Sequence, residues 1–254
     1  MAKISAIVIT YNEEANITEC LKSLSWCDEL IIVDSGSTDN TVKLAGEFTQ
    51  NIMITENIPY GQKRNIGIDK ATGDWIFWLD ADERATDELK NEITGITSES
   101  SPSTEAYLVN RKSFFINKFI KHCGWYPDYT LRLFKRSTGI KFNTSLVHEK
   151  AVYDGNTGRL KSEILHYTDR DFEHYINKLN KYTSLSAEEL KAKGRKAGFF
   201  DIIFRPAFTF FKMYFLKLGI LDGYIGLVLS TLSSIHVMTK YSKLYLMNKP
   251  NSIN

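Results

Sequence analysis

The chain has 254 residues, 43% of them hydrophobic and 24% charged, which suits one α/β domain or one domain with an appendage and excludes a disordered chain. A formal net charge of +2 is too small to argue for nucleic acid. Cys20, Cys27 and Cys123 form no CxxC pair and leave one unmatched in any disulfide scheme, so reduced thiols in a cytosolic setting are expected.

Residues 4–10 form a β-branched run of strand length, entered without a basic leader or signal-like apolar stretch. A helical pattern follows from Glu13 to about Leu24. Residues 30–33 predict a second buried strand ending at Asp34, residues 51–54 a weaker third, and residues 75–79 a fourth ending at Asp80. Strands this apolar, with helices between them, predict a mostly parallel sheet covered on both faces. Ligands bind beyond the carboxyl ends of such strands. Polar residues stand at three of those ends: Thr10, Tyr11, Asn12, Glu13 and Glu14; Asp34 through Asp39; and Asp80-Ala81-Asp82. Thr10, Tyr11 and Glu13 are therefore candidates to touch a substrate.

Asp80 and Asp82 flank an alanine just after a buried strand, and carboxylates this close disfavour joint ionisation. A divalent cation, Mg²⁺ or Mn²⁺, relieves the repulsion with carboxylate and phosphate oxygens. A solvated helix-capping turn explains an isolated pair equally well, but the strand context and the two other polar loops favour the metal. Gly36 permits a tight turn, and Asp39 is expected to cap the helix that follows. Asp34 stands where a nucleobase can meet its carboxylate. Lys63 and Arg64, on a helix after Pro59-Tyr60-Gly61, supply cations for a diphosphate, against the alternative of a solvated helical face.

Residues 106–166 read as irregular β structure, with strands at 107–109 and 131–134. Arg132 alternates with Leu131 and Leu133, so it points from the other strand face towards phosphate or a carboxylate. A charged amphipathic helix is expected over 171–194. Beyond Phe199 the composition turns aromatic and aliphatic, interrupted by Arg205, Lys212 and Lys217. The apolar stretch from 223 to 238 falls short of the roughly 20 residues a spanning helix needs. An interfacial helical hairpin is the preferred reading, with aromatics at the acyl boundary and Lys/Arg on headgroups. Packing on the protein's own core or in a homodimer is the alternative. The expected division is a catalytic domain over 1–168 and a membrane-associating helical extension over 169–254.

The runs Ile9-Thr10-Tyr11-Asn12-Glu13-Glu14, Val33 through Asp39, Lys63-Arg64-Asn65-Ile66-Gly67 and Asp80-Ala81-Asp82 resemble the family-two inverting glycosyltransferases of the GT-A fold. The resemblance implies an α/β Rossmann-like, mostly parallel sheet. It implies that Tyr11, Glu13, Asp34 and Arg64 hold the nucleoside and diphosphate, while Asp80 and Asp82 handle the sugar nucleotide and the metal. Many members carry a second Asp where Ser35 stands, so the nucleobase is left open. Gly124 through Asp128, residues 131–134, Val147-His148-Glu149 and Leu165-His166-Tyr167 are similar to the lipopolysaccharide core β-1,4-glucosyltransferases. That branch implies a UDP-hexose donor and a lipid-linked glycan acceptor at the inner face of the membrane.

Inversion needs an acceptor hydroxyl to attack opposite the leaving diphosphate while a carboxylate takes its proton. Asp128, in a loop where Trp125 can stack on an acceptor sugar, is preferred to Glu149. His148 is a candidate to complete the metal shell, as a C-terminal His does in some GT-A enzymes. His166 reads as a packed structural residue. A sugar-phosphate nucleotidyltransferase is disfavoured because Asn12-Glu13-Glu14 puts acid where that class needs a basic Gly-rich loop. A dinucleotide oxidoreductase is disfavoured by the lack of GxGxxG after the first strand. A nucleotide-sugar-binding scaffold at the membrane is the non-enzymatic rival.

Overall fold

The computed structural model describes residues 2–56, 58–99, 102, 104–143, 150–169 and 171–249. The chain divides into two compact units, one of Met1–Lys112 with Asp128–His166 and one of Ser113–Pro127 with Tyr167–Asn254. The sequence reading set a single boundary after residue 168. The structure instead groups 113–127 with the C-terminal part.

The first unit opens with β1 (Ile4–Thr10), α1 (Ile17–Ser23), β2 (Glu29–Asp34), α2 (Thr41–Ala45), β3 (Ile52–Ile54), α3 (Tyr60–Lys70) and β4 (Trp75–Asp80). It continues through β5 (Glu83–Ala85), α4 (Asp87–Ser98) and β6 (Ala106–Phe115), whose last residues belong to the second unit, as does β7 (Lys118–Phe119). Then follow β8 (Tyr129–Lys135), β9 (Lys141–Phe142), β10 (Ala151–Val152) and β11 (Gly158–Asp169). Every residue of β1 is buried, as a β-branched strand at the centre of a sheet requires.

The strand order is β3-β2-β1-β4-β8-β6-β11-β5. β1 runs parallel to β2, with Thr10 opposite Asp34, and parallel to β4, with Ile9 opposite Asp80. The three polar loops therefore leave the sheet at one end, as the sequence implied. Within the region read as irregular β structure, β8 pairs antiparallel with β4, and β6 antiparallel with β8 with a register shift at Tyr107 and Leu108. The sheet is thus mixed.

Side-chain alternation sends Ala6 and Val8 to one face, where α1, α2 and α4 cover them, and Ile7 to the other. On that second face α3 and the β9–β10 ribbon close the core with Ile68, Ala71, Ile140 and Phe142. Gly67 is where α3 comes down on β1, because a Cβ there would lie 2.4 Å from Ile7 Cγ2. All three cysteines are free. Burial pushes the thiols of Cys20 and Cys27 far above their ordinary value, and raises Cys123 in the second unit as well.

The second unit is helical: α5 (Phe172–Ala192), α6 (Phe199–Phe211) and α7 (Tyr224–Met247), with a π turn over Lys212–Leu216 and a 3-10 turn over Gly219–Asp222. Asp171 caps α5 by accepting the His174 amide. Both α5 and α6 pack on α7. Phe115, Ile120 and Cys123 join Leu229 and Leu232 in its core. The stretch at 223–238 is the first part of one longer helix. Among the described residues no helix is long and apolar enough to cross a membrane.

Gly67→Ala forces a methyl into the α3–β1 seam, where neither backbone can retreat cheaply. Urea unfolding should show a loss of about 1–3 kcal/mol.

Candidate active site

The loops after β1 and β2 are laced together by side chains acting on backbone. Asn12, at φ +53°, accepts the Thr38 amide and donates its own amide to Ser37 Oγ. The Glu13 and Glu14 amides donate to Thr41 Oγ1 and to the Asp39 carboxylate. Asp39 also accepts from the Thr41 amide and hydroxyl, so its part is structural, and these bonds hold its carboxyl below the usual range against the upward push of burial.

Asp34 is anchored by its own turn. It is fully buried, and its carboxylate accepts the Gly36 and Ser37 amides and the Ser37 hydroxyl. Gly36 makes this possible at φ +78°. The carboxylate expected to meet a nucleobase is held in place by these three donors of its own turn. Tyr11 stands exposed, and the Glu13 carboxylate accepts from Asn16. The buried hydroxyls of Thr10 and Ser35 have no hydrogen-bond partner among the described residues. An unsatisfied buried polar group costs about 1–3 kcal/mol, which marks the end of β1 and β2 as a place that gains from a polar ligand.

A chain of alternating charges runs from α3 across β4, β8 and β6. Arg64 Nη2 lies 3.1 Å from Asp80 Oδ1, and Arg132 Nη2 lies 3.5 Å from Asp80 Oδ2. The same Arg132 nitrogen is 2.5 Å from Glu83 Oε1, and Arg111 Nη1 is 3.6 Å from that oxygen. Arg111 then donates from Nη2 and Nε to Asp128 Oδ2 at 2.7 and 2.9 Å. The Asp80 amide donates to Glu83 Oε2 at 2.9 Å. Trp78 floors the chain, with the Arg132 and Arg64 guanidiniums 3.7 and 4.1 Å from its ring centre.

Lys63 and Arg64 are both buried, so neither belongs to a solvated helical face. Lys63 Nζ lies 4.7 Å over the Tyr60 ring. Arg132, expected to reach phosphate or a carboxylate, is only 1% exposed and meets the Asp80 and Glu83 carboxylates over Trp78. Its place is to position Asp80 and Glu83.

Burial would raise the Asp80 carboxyl, but Arg64, Arg132 and Arg111 outweigh it and hold the group far below the usual carboxylate range. Glu83, with no exposure, goes the other way: burial raises it, Asp80 adds to the rise, and Arg132 offsets only part. Arg111 stays above its ordinary value through Glu83 and Asp128 in spite of burial.

Asp82 accepts from His166 Nε2 at 3.2 Å through Oδ2, while Oδ1 has no hydrogen bond among the described residues. Burial would lower the His166 pKa, but its bond to Asp82 and that carboxylate's charge raise it. His166 is thus part of the site's edge rather than packing alone. No group of three or more His, Cys, Asp or Glu that could hold a metal occurs among the described residues. The donors do fit an ion held by one or two carboxylates and completed by substrate oxygens, the usual arrangement for Mg²⁺. His148 and Glu149, proposed metal ligand and rival base, lie outside the described residues.

The Asp128 side chain is 35% exposed, and both Arg111 bonds fall on Oδ2. Trp125 belongs to the second unit, where its ring meets Phe115 edge-on at 5.9 Å. Glu83 and Arg111 were missed in the sequence, although Glu83 directly follows the Asp-Ala-Asp run and Arg111 sits in a charged Asn110-Arg111-Lys112 break within an apolar strand.

Glu83→Ala takes from buried Arg132 the nearer of its two carboxylates, leaving Asp80 at 3.5 Å, and should cost about 3–5 kcal/mol in urea unfolding. His166 is raised above its ordinary 6.5 in the folded protein. Its contribution to stability is therefore present below that value and is lost as pH rises through the folded pKa. Proton NMR of the ring in metal-free buffer should show a midpoint above 6.5 that falls in Asp82→Asn.

Residues 5–145 match the family Glycosyl transferase family 2. The chain is 28% identical to the lipopolysaccharide core biosynthesis glycosyltransferase LpsC of Rhizobium meliloti, over 98% of this chain and 95% of that protein. It is also 28% identical to an uncharacterized glycosyltransferase of Rickettsia felis, over 96% and 90%. The crystal structure of S. aureus TarS 1-349 in complex with UDP-GlcNAc is similar at TM-score 0.50 and 19% identity. That match covers 74% of this chain and 66% of that one, and it is a likeness of fold. The fold is GT-A.

Proposed function

The chain belongs to glycosyl transferase family 2, and from that premise we propose that it moves a hexose from a UDP-sugar, with inversion, to a lipid-linked or envelope glycan such as lipopolysaccharide core. The observation that carries this reading is the charge chain, which ties the Asp80 strand end to the candidate base Asp128. Relatedness to a lipopolysaccharide core enzyme supports the acceptor class, and UDP-GlcNAc bound to a protein of the same fold supports the donor class. The place of action is the inner face of the membrane, with the protein peripheral to it.

The Thr10 and Ser35 hydroxyls, unpaired among the described residues, suit the polar edge of a nucleoside. Arg64 and Lys63, inside low-dielectric surroundings, favour the negative charge of a departing diphosphate more than exposed cations would. Asp82 and Asp80 would hold Mg²⁺ or Mn²⁺, which when bound offsets charge on the leaving group.

The acceptor oxygen attacks the anomeric carbon, the bond from that carbon to the diphosphate breaks, and Asp128 Oδ1 takes the acceptor proton. Arg111 suits this role twice over. Its two bonds to Oδ2 fix the carboxylate and leave the other oxygen to the substrate.

Calorimetry with UDP-sugars, with and without Mn²⁺, and an assay of UDP release test the proposal. Asp128→Asn should lower kcat about 10²–10⁴-fold at unchanged donor affinity. Asp82→Asn should abolish the metal dependence of binding. A folded wild-type protein that binds a UDP-sugar but releases no UDP with acceptor present would favour the scaffold, one that binds no UDP-sugar would overturn the donor class, and full turnover in Asp128→Asn would pass the base role to Glu149.

A further inference from the structure

The second unit presents an aromatic stripe that its own fold leaves uncovered. On α6, Phe200, Phe204, Phe208 and Phe211 recur at helical spacing and lead to Phe215 in the π turn, and all five are exposed. Phe200 and Phe204 stack at 4.2 Å, so the stripe is ordered. The opposite side of α6 is occupied: Pro206 is buried, and its carbonyl accepts the Ser234 hydroxyl of α7. A soluble monomer rarely leaves so contiguous an apolar face in water.

The charges around the stripe indicate its occupant. Between residues 191 and 224 there are seven Lys or Arg against two acidic residues. Asp201 is paired with Arg205, and Asp222 is buried under the Lys121 and His122 amides. The uncompensated charge is positive. A second copy of the chain meets the same patch in a twofold contact, which sets basic residues against basic residues. No helix among the described residues can cross a bilayer.

We propose that α6 and the π turn lie on an anionic lipid surface, in its plane, with the phenylalanines at the acyl boundary and the flanking Lys and Arg on phosphate headgroups. The proposal rests on the membrane-side reading above and names the surface and the lipid class.

The test is flotation of the full chain with vesicles of phosphatidylcholine alone or mixed equally with phosphatidylglycerol. Binding to the mixed vesicles is expected, about tenfold weaker on phosphatidylcholine alone. The exposed double substitution Phe204→Asp, Phe208→Asp should remove it while circular dichroism and UDP-sugar binding stay unchanged. Substituting Arg195 and Lys196 by Gln should weaken it, whereas Lys193 is paired with Glu189 and is left in place.

Binding that ignores phosphatidylglycerol, or a double variant that floats like the wild type, overturns the proposal. So does a dimer in ultracentrifugation that the double variant dissolves while neither protein floats. Failure of UDP-sugar binding with flotation intact refutes the transferase chemistry alone, and the converse result refutes only the docking surface.

Discussion

Buried charges must be paired or they unfold the protein, and the alternation Arg64, Asp80, Arg132, Glu83, Arg111, Asp128 is how this chain meets that constraint. Each member comes from a different piece of structure: α3, the end of β4, β8, β5, β6 and the residue before β8. The pairing works because β8 lies between β4 and β6 in the sheet. The antiparallel half is therefore more than an extension of the parallel half. It delivers the two arginines that meet the partly exposed Asp80 and the fully buried Glu83. The two carboxyls are displaced in opposite directions, Asp80 down by the surrounding arginines and Glu83 up by its burial.

Legibility in the sequence followed the kind of force involved. β1, β2 and β4 are apolar runs with polar residues at their ends, and burial on both faces writes itself into such runs directly. β11 does not look like a strand, because Leu160 and Ile164 are its only buried apolar residues and polar ones such as Lys161, Glu163 and His166 interrupt them. Arg132 was legible as a side chain aimed away from its apolar neighbours, since alternation is local. What it meets was not, because Glu83 lies 49 residues away and their encounter depends on strand order. The bonds that anchor Asp34 were not legible for another reason: they come from the conformation of its own turn.

In the second unit one buried carboxylate organises the approach to the aromatic helix. Asp222 accepts the Lys121 and His122 amides, its carbonyl accepts Lys118 Nζ, and the Cys123 amide donates to Lys217. The segment before Trp125 is thereby fastened to the turns that follow α6. Gly219 and Gly226 allow this closeness, since a Cβ at Gly219 would lie 2.7 Å from Cys123 Sγ and one at Gly226 would lie 1.9 Å from the Gly219 carbonyl oxygen.

The three cysteines carry a practical consequence. A maleimide reacts with thiolate, and burial keeps the thiols of Cys20, Cys27 and Cys123 protonated near neutral pH. A cysteine introduced on the exposed side of α6 would have an ordinary thiol and take the label ahead of all three. Of the native thiols Cys20 and Cys123 are buried and Cys27 is half-buried, so Cys27 is the one whose background labelling the wild-type protein would report.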